Sequence, residues 1–514
     1  MLVLPWLNPF APGPMAQAMP LLFAWVCAAV VVLALALDRQ RGQHDAMVRA
    51  MVLAWSLAAS LSAVIGLLQY FGATAPFGVW LNHTDVGAAF GNLRQRNQFA
   101  TLLNLGLVTA LWWAVRATAR RARPDAPAPH SFFRLLPCLK RYPLLLPALL
   151  GALVSTGNAA SSSRTGLLQL ALLLVLTLWW QRDLADAAQK KRVQTVLLAA
   201  LLAYAIALVA LPLLAGLDPL NSGALARLRD GDAACASRLT LWGNVLHLIA
   251  LKPLLGWGWG ELDYAHFLTL YPGTRFCDIL DNAHNLPLHL AVEFGVPAAL
   301  FLCGGAVWLA WRAQPWHEHH PTRQLVWALL AVILLHSLLE YPLWYGPFQT
   351  IAALCVWLLW WIPRDPGQPQ TYKPFRPLAR YLYALSAILL IAYCALAAWQ
   401  YQIASQIYLD PDHRASAYRT NTLQKIKGVW LYQDSVRFAE LTTADLDASN
   451  AAYINALAKK MLHFSPEARV VELLLESAQL LGRSGEVAFY ATRFQVAFPK
   501  DYTAWRAKER RISQ

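Results

Sequence analysis

Apolar positions run in long blocks through the first 401 residues, not at the three-and-four spacing of an amphipathic helix. A helix needs about 20 apolar residues to cross the hydrocarbon core of a bilayer, and fewer where the bilayer thins. On that rule ten blocks read as spans, at 18–37, 50–71, 98–116, 143–157, 166–181, 194–216, 285–311, 325–345, 347–362 and 379–401. Those at 143–157 and 347–362 are short. Residues 402–514 are polar enough for a soluble domain. The pattern therefore predicts an all-α, polytopic helical membrane protein. Its transmembrane domain covers 1–401, with a long loop at 217–284, and its C-terminal helical domain covers 402–514.

Composition narrows the class. Of 514 residues, 57% are apolar and only 14% charged, where a soluble domain carries about a quarter. This excludes a disordered chain, a collagen and a disulfide-stapled secreted domain, and argues against a soluble multidomain enzyme. The formal charge of +14 would suggest nucleic acid in a soluble protein. Here it follows from the positive-inside rule, and no nucleic-acid partner is expected. The loops after the first, third, fifth, seventh and ninth spans carry 20 lysines and arginines, and the alternate loops carry eight. The richer set faces the cytoplasm. Both termini and the loop 217–284 then face the periplasm of a Gram-negative cell, and the protein is expected in the bacterial inner membrane. Met1–Pro20 reads as an external loop whose preceding span is missing, so the expected natural start lies upstream or one helix has been lost.

Cys27, Cys303, Cys355 and Cys394 sit in apolar blocks and read as packing residues, while Cys138 sits in a basic loop. Cys235 and Cys277 share the long loop, in a compartment where disulfides persist. They are a candidate pair, and a bond between them would pin the stretch carrying Arg238 close to His284. In the C-terminal region, Ser465-Pro466-Glu467 predicts a helix start. Gly482 predicts a stop, and further helices are expected from about Ser484 and after Asp501. The paired helices resemble a degenerate tetratricopeptide hairpin, which reads either as a docking surface for a protein or for the enzyme's own loop, or as a simple helical cap.

Charge in or beside a span is costly and needs a reason. Arg164, in Ser161-Ser162-Ser163-Arg164-Thr165-Gly166, lies at the mouth of a span, and Arg238 opens an amphipathic stretch that ends at Lys252-Pro253. Both are placed to hold a phosphate bidentately at the membrane surface; the alternative is an arginine snorkelling from a helix end. His284 stands where the long loop re-enters the membrane, and a histidine there can take the proton of a hydroxyl or simply bond the backbone. His336 and Glu340 are four apart in one apolar block and are expected to share a helix face. Gly256-Trp257-Gly258-Trp259-Gly260 lacks the context of a phosphate loop and reads as a tight aromatic turn. Asp410-Pro411-Asp412 reads as a turn and helix start, and His317-Glu318-His319-His320 as part of a solvated connector. No HExxH, paired CxxC or GxSxG is present.

Four segments in order resemble the bacterial protein O-oligosaccharyltransferases, the pilin glycosylation ligases of PglL type, within the O-antigen ligase and polymerase superfamily. They are Gly91-Asn92-Leu93-Arg94-Gln95-Arg96-Asn97-Gln98-Phe99-Ala100-Thr101; Ser163-Arg164-Thr165; Arg238 through Gly258 with His284-Asn285 and Glu293-Phe294-Gly295; and His336-Ser337-Leu338-Leu339-Glu340-Tyr341-Pro342-Leu343-Trp344. The resemblance implies an inverting, metal-independent and cofactor-free transfer of a glycan from undecaprenyl pyrophosphate to a Ser or Thr hydroxyl of a periplasmic or pilin protein. It implies that Arg164 and Arg238 bind the pyrophosphate and that His284 activates or orients the acceptor. Gln95, Asn97, Asn285, His336, Glu340 and Tyr341 would shape the site. An O-antigen ligase acting on lipid A core and an O-antigen polymerase are the alternatives. A transporter is disfavoured because no internal repeat is visible.

Overall fold

The protein is described by a computed structural model covering residues 1–8, 17–37, 44–116, 142–182, 184, 186–231, 233–364 and 377–512. Cys138 and most of the basic residues of the loops after the first, third and ninth apolar blocks lie outside the described residues. Among those described, every regular element is a helix.

Each of the ten apolar blocks is helical. The elements are α1 (Ala18–Leu37), α2 (His44–Tyr70), α3 (Arg96–Arg116), α4 (Leu145–Ser161), α5 (Arg164–Trp180), α6 (Ala187–Leu214), α7 (Gly223–Asp230), α8 (Arg238–Leu251), α9 (Leu262–Leu268), α10 (Leu286–Phe294), α11 (Val296–Ala313), α12 (Pro321–Ser337), α13 (Gly346–Trp361) and α14 (Pro377–Ala404). Among the described residues, six helices are long and apolar enough to cross a membrane; α4, α5 and α13 are shorter apolar helices.

Two blocks differ from expectation. The block 285–311 is broken at Gly295, whose φ is 86°. A Cβ there would lie 2.0 Å from the Leu254 carbonyl oxygen, so only glycine admits that approach. The block 325–345 ends its helix at Ser337, and Glu340 lies in the turn that follows. The Glu340 N–H still reaches the His336 carbonyl at 2.8 Å.

The chain divides into two compact units. One gathers Gln17–Gly231 and Ala310–Cys394 with the start of the chain; the other gathers Asp232–Leu309 and Ala395–Gln514. In the first, α2, α3, α4, α5, α6, α12 and α13 surround one apolar core built on Trp55, Phe99, Leu103, Leu173, Val332 and Phe348. α3 is the central helix, buried along nearly its whole length. Gly106 and Gly157 of α3 and α4 let neighbouring helices approach closely: a Cβ at either would meet Ala59 or Ala63 of α2 within 3.4 Å. The His317–His320 run, expected in a solvated connector, is solvated only in part: His317 and His319 are exposed, but Glu318 is buried. Glu318 pairs with buried Arg323 at 2.6 Å, and the His320 ring caps α12 by accepting from the Thr322 N–H.

In the second unit, α8, α9 and α10 share a small core containing Leu241, Val245, Leu248, Leu262 and Val292. Five further helices of this unit follow α14 and a short α15 (Thr422–Ile426): α16 (Gln433–Thr442), α17 (Ala451–Met461), α18 (Ala468–Leu480), α19 (Ser484–Ala497) and α20 (Pro499–Ile512). Gly482, at φ 68°, ends α18 as expected. The start of α18 differs: Glu467, not Ser465, is the residue before the helix, and the Ser465 hydroxyl donates to the Glu467 carboxylate instead of capping. Buried Asn455 ties α17 to α18 and α19 through Ser477, Glu486 and Arg483. Phe267 of α9 inserts into the apolar core of these helices, and Glu261 bonds His463 at 2.7 Å.

Candidate functional site

In the first unit Gln95, Asn97, His336 and Glu340 meet in one polar network. Gly91 and Arg94, both near φ 58°, turn the chain into α3. Gln69 accepts from the Phe90 and Gly91 N–H groups, and Asn92 donates to the Leu7 and Trp80 carbonyls, which fixes the loop. Gln95 and Asn97 then donate to the two oxygens of Glu340, each at 3.2 Å. Glu340 is 4% exposed. Glu340 stands beyond the end of α12, so it does not share a helix face with His336. It is held by two amides from the start of α3.

The network continues inward. Ser163 donates to Asn97 Oδ1 at 2.7 Å and accepts from the Gly166 N–H, so it is at once the N-cap of α5 and a support for Asn97. Arg164 is the first residue of α5. Thr101 bonds His336 Nδ1 at 2.9 Å and Gln169, and Gln169 also accepts from Asn104 at 3.0 Å. His336 Nε2 is buried without a hydrogen-bond partner among the described residues. Tyr341 stacks on Tyr345, with ring centroids 6.0 Å apart. Arg227 of α7 donates to the Ser162 carbonyl at 3.3 Å, two residues before Arg164, and lies within electrostatic reach of Arg96.

In the second unit Arg238 is likewise the first residue of its helix, preceded by a capping serine: Ser237 Oγ accepts from the Thr240 N–H. Each arginine therefore stands at the positive end of a helix dipole, where an anion such as a phosphate is favoured. Cys235 and Cys277 are joined by a disulfide, with Cα atoms 5.3 Å apart. His284 takes a left-handed backbone, φ 49°, costly for a residue other than glycine. Its neighbours hold that turn. The Asn282 side chain accepts from the His284 N–H at 2.8 Å, Trp242 donates to the Ala283 carbonyl at 3.1 Å, and Asn285 caps α10 through the Leu288 N–H.

Burial shapes the titration of the groups around this turn. It pushes the Asp281 carboxyl up, with the His284 imidazole acting in the opposite direction. It pushes Asp263 up to about 7 and His266 down to about 3. The hydrogen bonds agree with a neutral His266: its Nε2 donates to the Phe276 carbonyl, leaving Nδ1 to accept from Tyr271.

Sequence reasoning did not single out Gln69, Thr101, Asn104, Ser163 as a support, Gln169 or Arg227. The signal available was the scatter of Gln, Asn and Thr inside apolar blocks, where a polar group must find a partner.

Comparisons with known proteins follow the same segments. Residues 89–114 match the family described as protein glycosylation ligase, and 149–303 match that described as O-antigen ligase. Residues 324–512 match the family described as virulence factor membrane-bound polymerase, C-terminal. The chain is 26% identical over 278 residues to a general O-oligosaccharyltransferase of Acinetobacter baylyi, covering 50% of this chain and 41% of that protein. No solved structure matches. The chain thus has the helices of a membrane protein and is similar, segment by segment, to the O-antigen ligase superfamily and to its PglL-type protein O-oligosaccharyltransferases.

Proposed function

We propose that the protein transfers a glycan en bloc from undecaprenyl pyrophosphate to Ser or Thr hydroxyls of periplasmic or pilin proteins, at a site facing the periplasm from the inner membrane. The observation that carries this reading is the Gln95–Glu340–Asn97 contact. It joins the segment matching the protein glycosylation ligases to the His336–Trp344 motif, the two stretches by which the chain resembles the protein-glycosylating branch.

In this reading the acceptor oxygen attacks the anomeric carbon. Its proton passes to the His284 imidazole, and the bond from that carbon to the pyrophosphate oxygen breaks. Undecaprenyl pyrophosphate leaves with the electron pair, and attack from the opposite face inverts the anomeric centre. Arg164 and Arg238 bind the pyrophosphate and stabilise the charge it gains. A pyrophosphate leaving group needs no metal in this scheme. Gln95, Asn97, Asn285, His336, Glu340 and Tyr341 shape the site. Residues 1–401 form the transferase domain, with its loop at 217–284, and residues 402–514 form a tetratricopeptide-like helical domain.

The test is the intact mass of a periplasmic pilin-like acceptor co-expressed with a lipid-linked glycan and this protein, beside a His284→Ala control. A glycan mass added only by the unaltered enzyme is expected. The match of 324–512 to a membrane-bound polymerase region favours a second reading, glycan polymerisation. Lengthened lipid-linked chains, or an extended lipid A core, with no mass on the acceptor would overturn the first reading.

A further inference from the structure

Helix α8 is apolar on two sides. Leu241, Val245, Leu248 and Ile249 pack into the core it shares with α9 and α10. The exposed stripe carries Leu239, Gly243, Leu246 and Ala250, with no polar residue among them. Leu239 is 79% exposed, and beyond the helix Leu254 and Leu255 are 71% and 86% exposed and Trp259 71%. A helix in water shows a polar face on its open side. A contiguous apolar surface of this kind marks a protein or membrane contact.

Three features select a membrane. First, the stretch Pro253–Gly258 is bound to the break between α10 and α11: Val296 N–H donates to the Pro253 carbonyl at 2.8 Å, and the Trp257 and Gly258 N–H groups donate to the Val292 and Glu293 carbonyls. A Cβ at Gly256 would lie 2.4 Å from the Glu293 backbone, so the turn sits directly on α10. Leu254 and Leu255 are thereby fixed beside the first turn of α11, an apolar helix long enough to cross a bilayer with only 6% of its window buried. Second, α8 has 14 residues, too few to cross, as in helices that lie in the plane of a bilayer surface. Third, cations stand at its two ends: Arg238 opens it, and Lys252 closes it over the Trp257 ring at 4.0 Å. Long basic side chains flanking an apolar stripe reach for headgroups, and tryptophan favours that depth.

We propose that α8 and the turn Lys252–Gly260 form a monotopic membrane element, with Leu239, Leu246, Leu254, Leu255 and Trp259 in the acyl region of the bilayer. This sets Arg238 at headgroup depth.

The test uses the full chain in proteoliposomes. Spin labels are placed at Leu246→Cys and Leu255→Cys, after removal of Cys27, Cys138, Cys303, Cys355 and Cys394 with the disulfide kept. Leu302→Cys on α11 serves as the lipid control, and exposed Ser484→Cys on α19 as the water control. Collision with oxygen exceeding collision with a charged nickel chelate, as at position 302, is expected. Nickel-dominated collision, as at 484, would place the element in water. Low collision with both would mean that protein covers it. Either result overturns the proposal. This readout needs no activity, so its failure is distinct from failure of the transferase reading.

Discussion

Glu340 and His284 are both fixed, but by different means. Glu340 lies in the first unit at the end of a helix bundle, and side chains hold it: Gln95 and Asn97 bond its carboxylate, and Ser163 bonds Asn97. His284 lies in the second unit on a loop, and neighbours fix the backbone of its turn: Asn282 accepts from its N–H and Trp242 donates to the Ala283 carbonyl. The difference follows from the surroundings. In an apolar interior each polar side chain needs a partner, so a network is self-supporting. A loop has no such pressure, and a strained φ persists there only if neighbours over-determine it.

The comparison can be broken or sharpened by substitution, starting with the largest effect. His284→Ala should lower the transfer rate about 10²–10⁴-fold, the usual weight of a general base. His284→Asn, which tolerates the left-handed backbone, should do the same; if Asn preserves the rate, the turn matters and the imidazole does not. Replacing Cys235 and Cys277 together by Ser should cost about 4 kcal/mol by the loop-closure estimate. Hydrogen exchange should then rise across 233–285 and leave α3 and α12 unchanged.

Glu340→Ala leaves two amides facing a void and should cost about 3 kcal/mol, read as a lower Tm in detergent. Asp263 supplies a pH test within the second unit. Burial raises its carboxyl to about 7 in the folded chain, against about 3.9 unfolded. The folded chain holds the proton between those values, so stability falls as pH rises from about 4 to about 7 and is level above. Asp263→Asn should raise Tm more at pH 8 than at pH 5; equal gains would remove the linkage. The smallest effect expected is Ser163→Ala, about 1 kcal/mol for a lost N-cap, with Asn97 freed to turn from Glu340.

Much of the fold was legible because transfer into lipid depends on composition. Helix occupies each of the ten apolar blocks, unbroken in eight of them, and Gly482 ends α18 where expected. The break at Gly295 was not legible, since it answers to the Leu254 carbonyl, forty-one positions earlier. The end of α12 was missed for a similar reason: apolar residues continue past Ser337, but Glu340 is drawn to partners at the start of α3.

The sequence by itself determined the membrane class, the helices and the motifs carrying Arg164, Arg238, His284 and Glu340, because hydrophobicity, caps and turn residues act over a few neighbours. Tertiary structure alone decided the partners. Gln95 and Glu340 are 245 residues apart, and no local preference marks a hydrogen bond across that distance. It exists because α3 and α12 pack in one core and bring their polar ends within reach of each other.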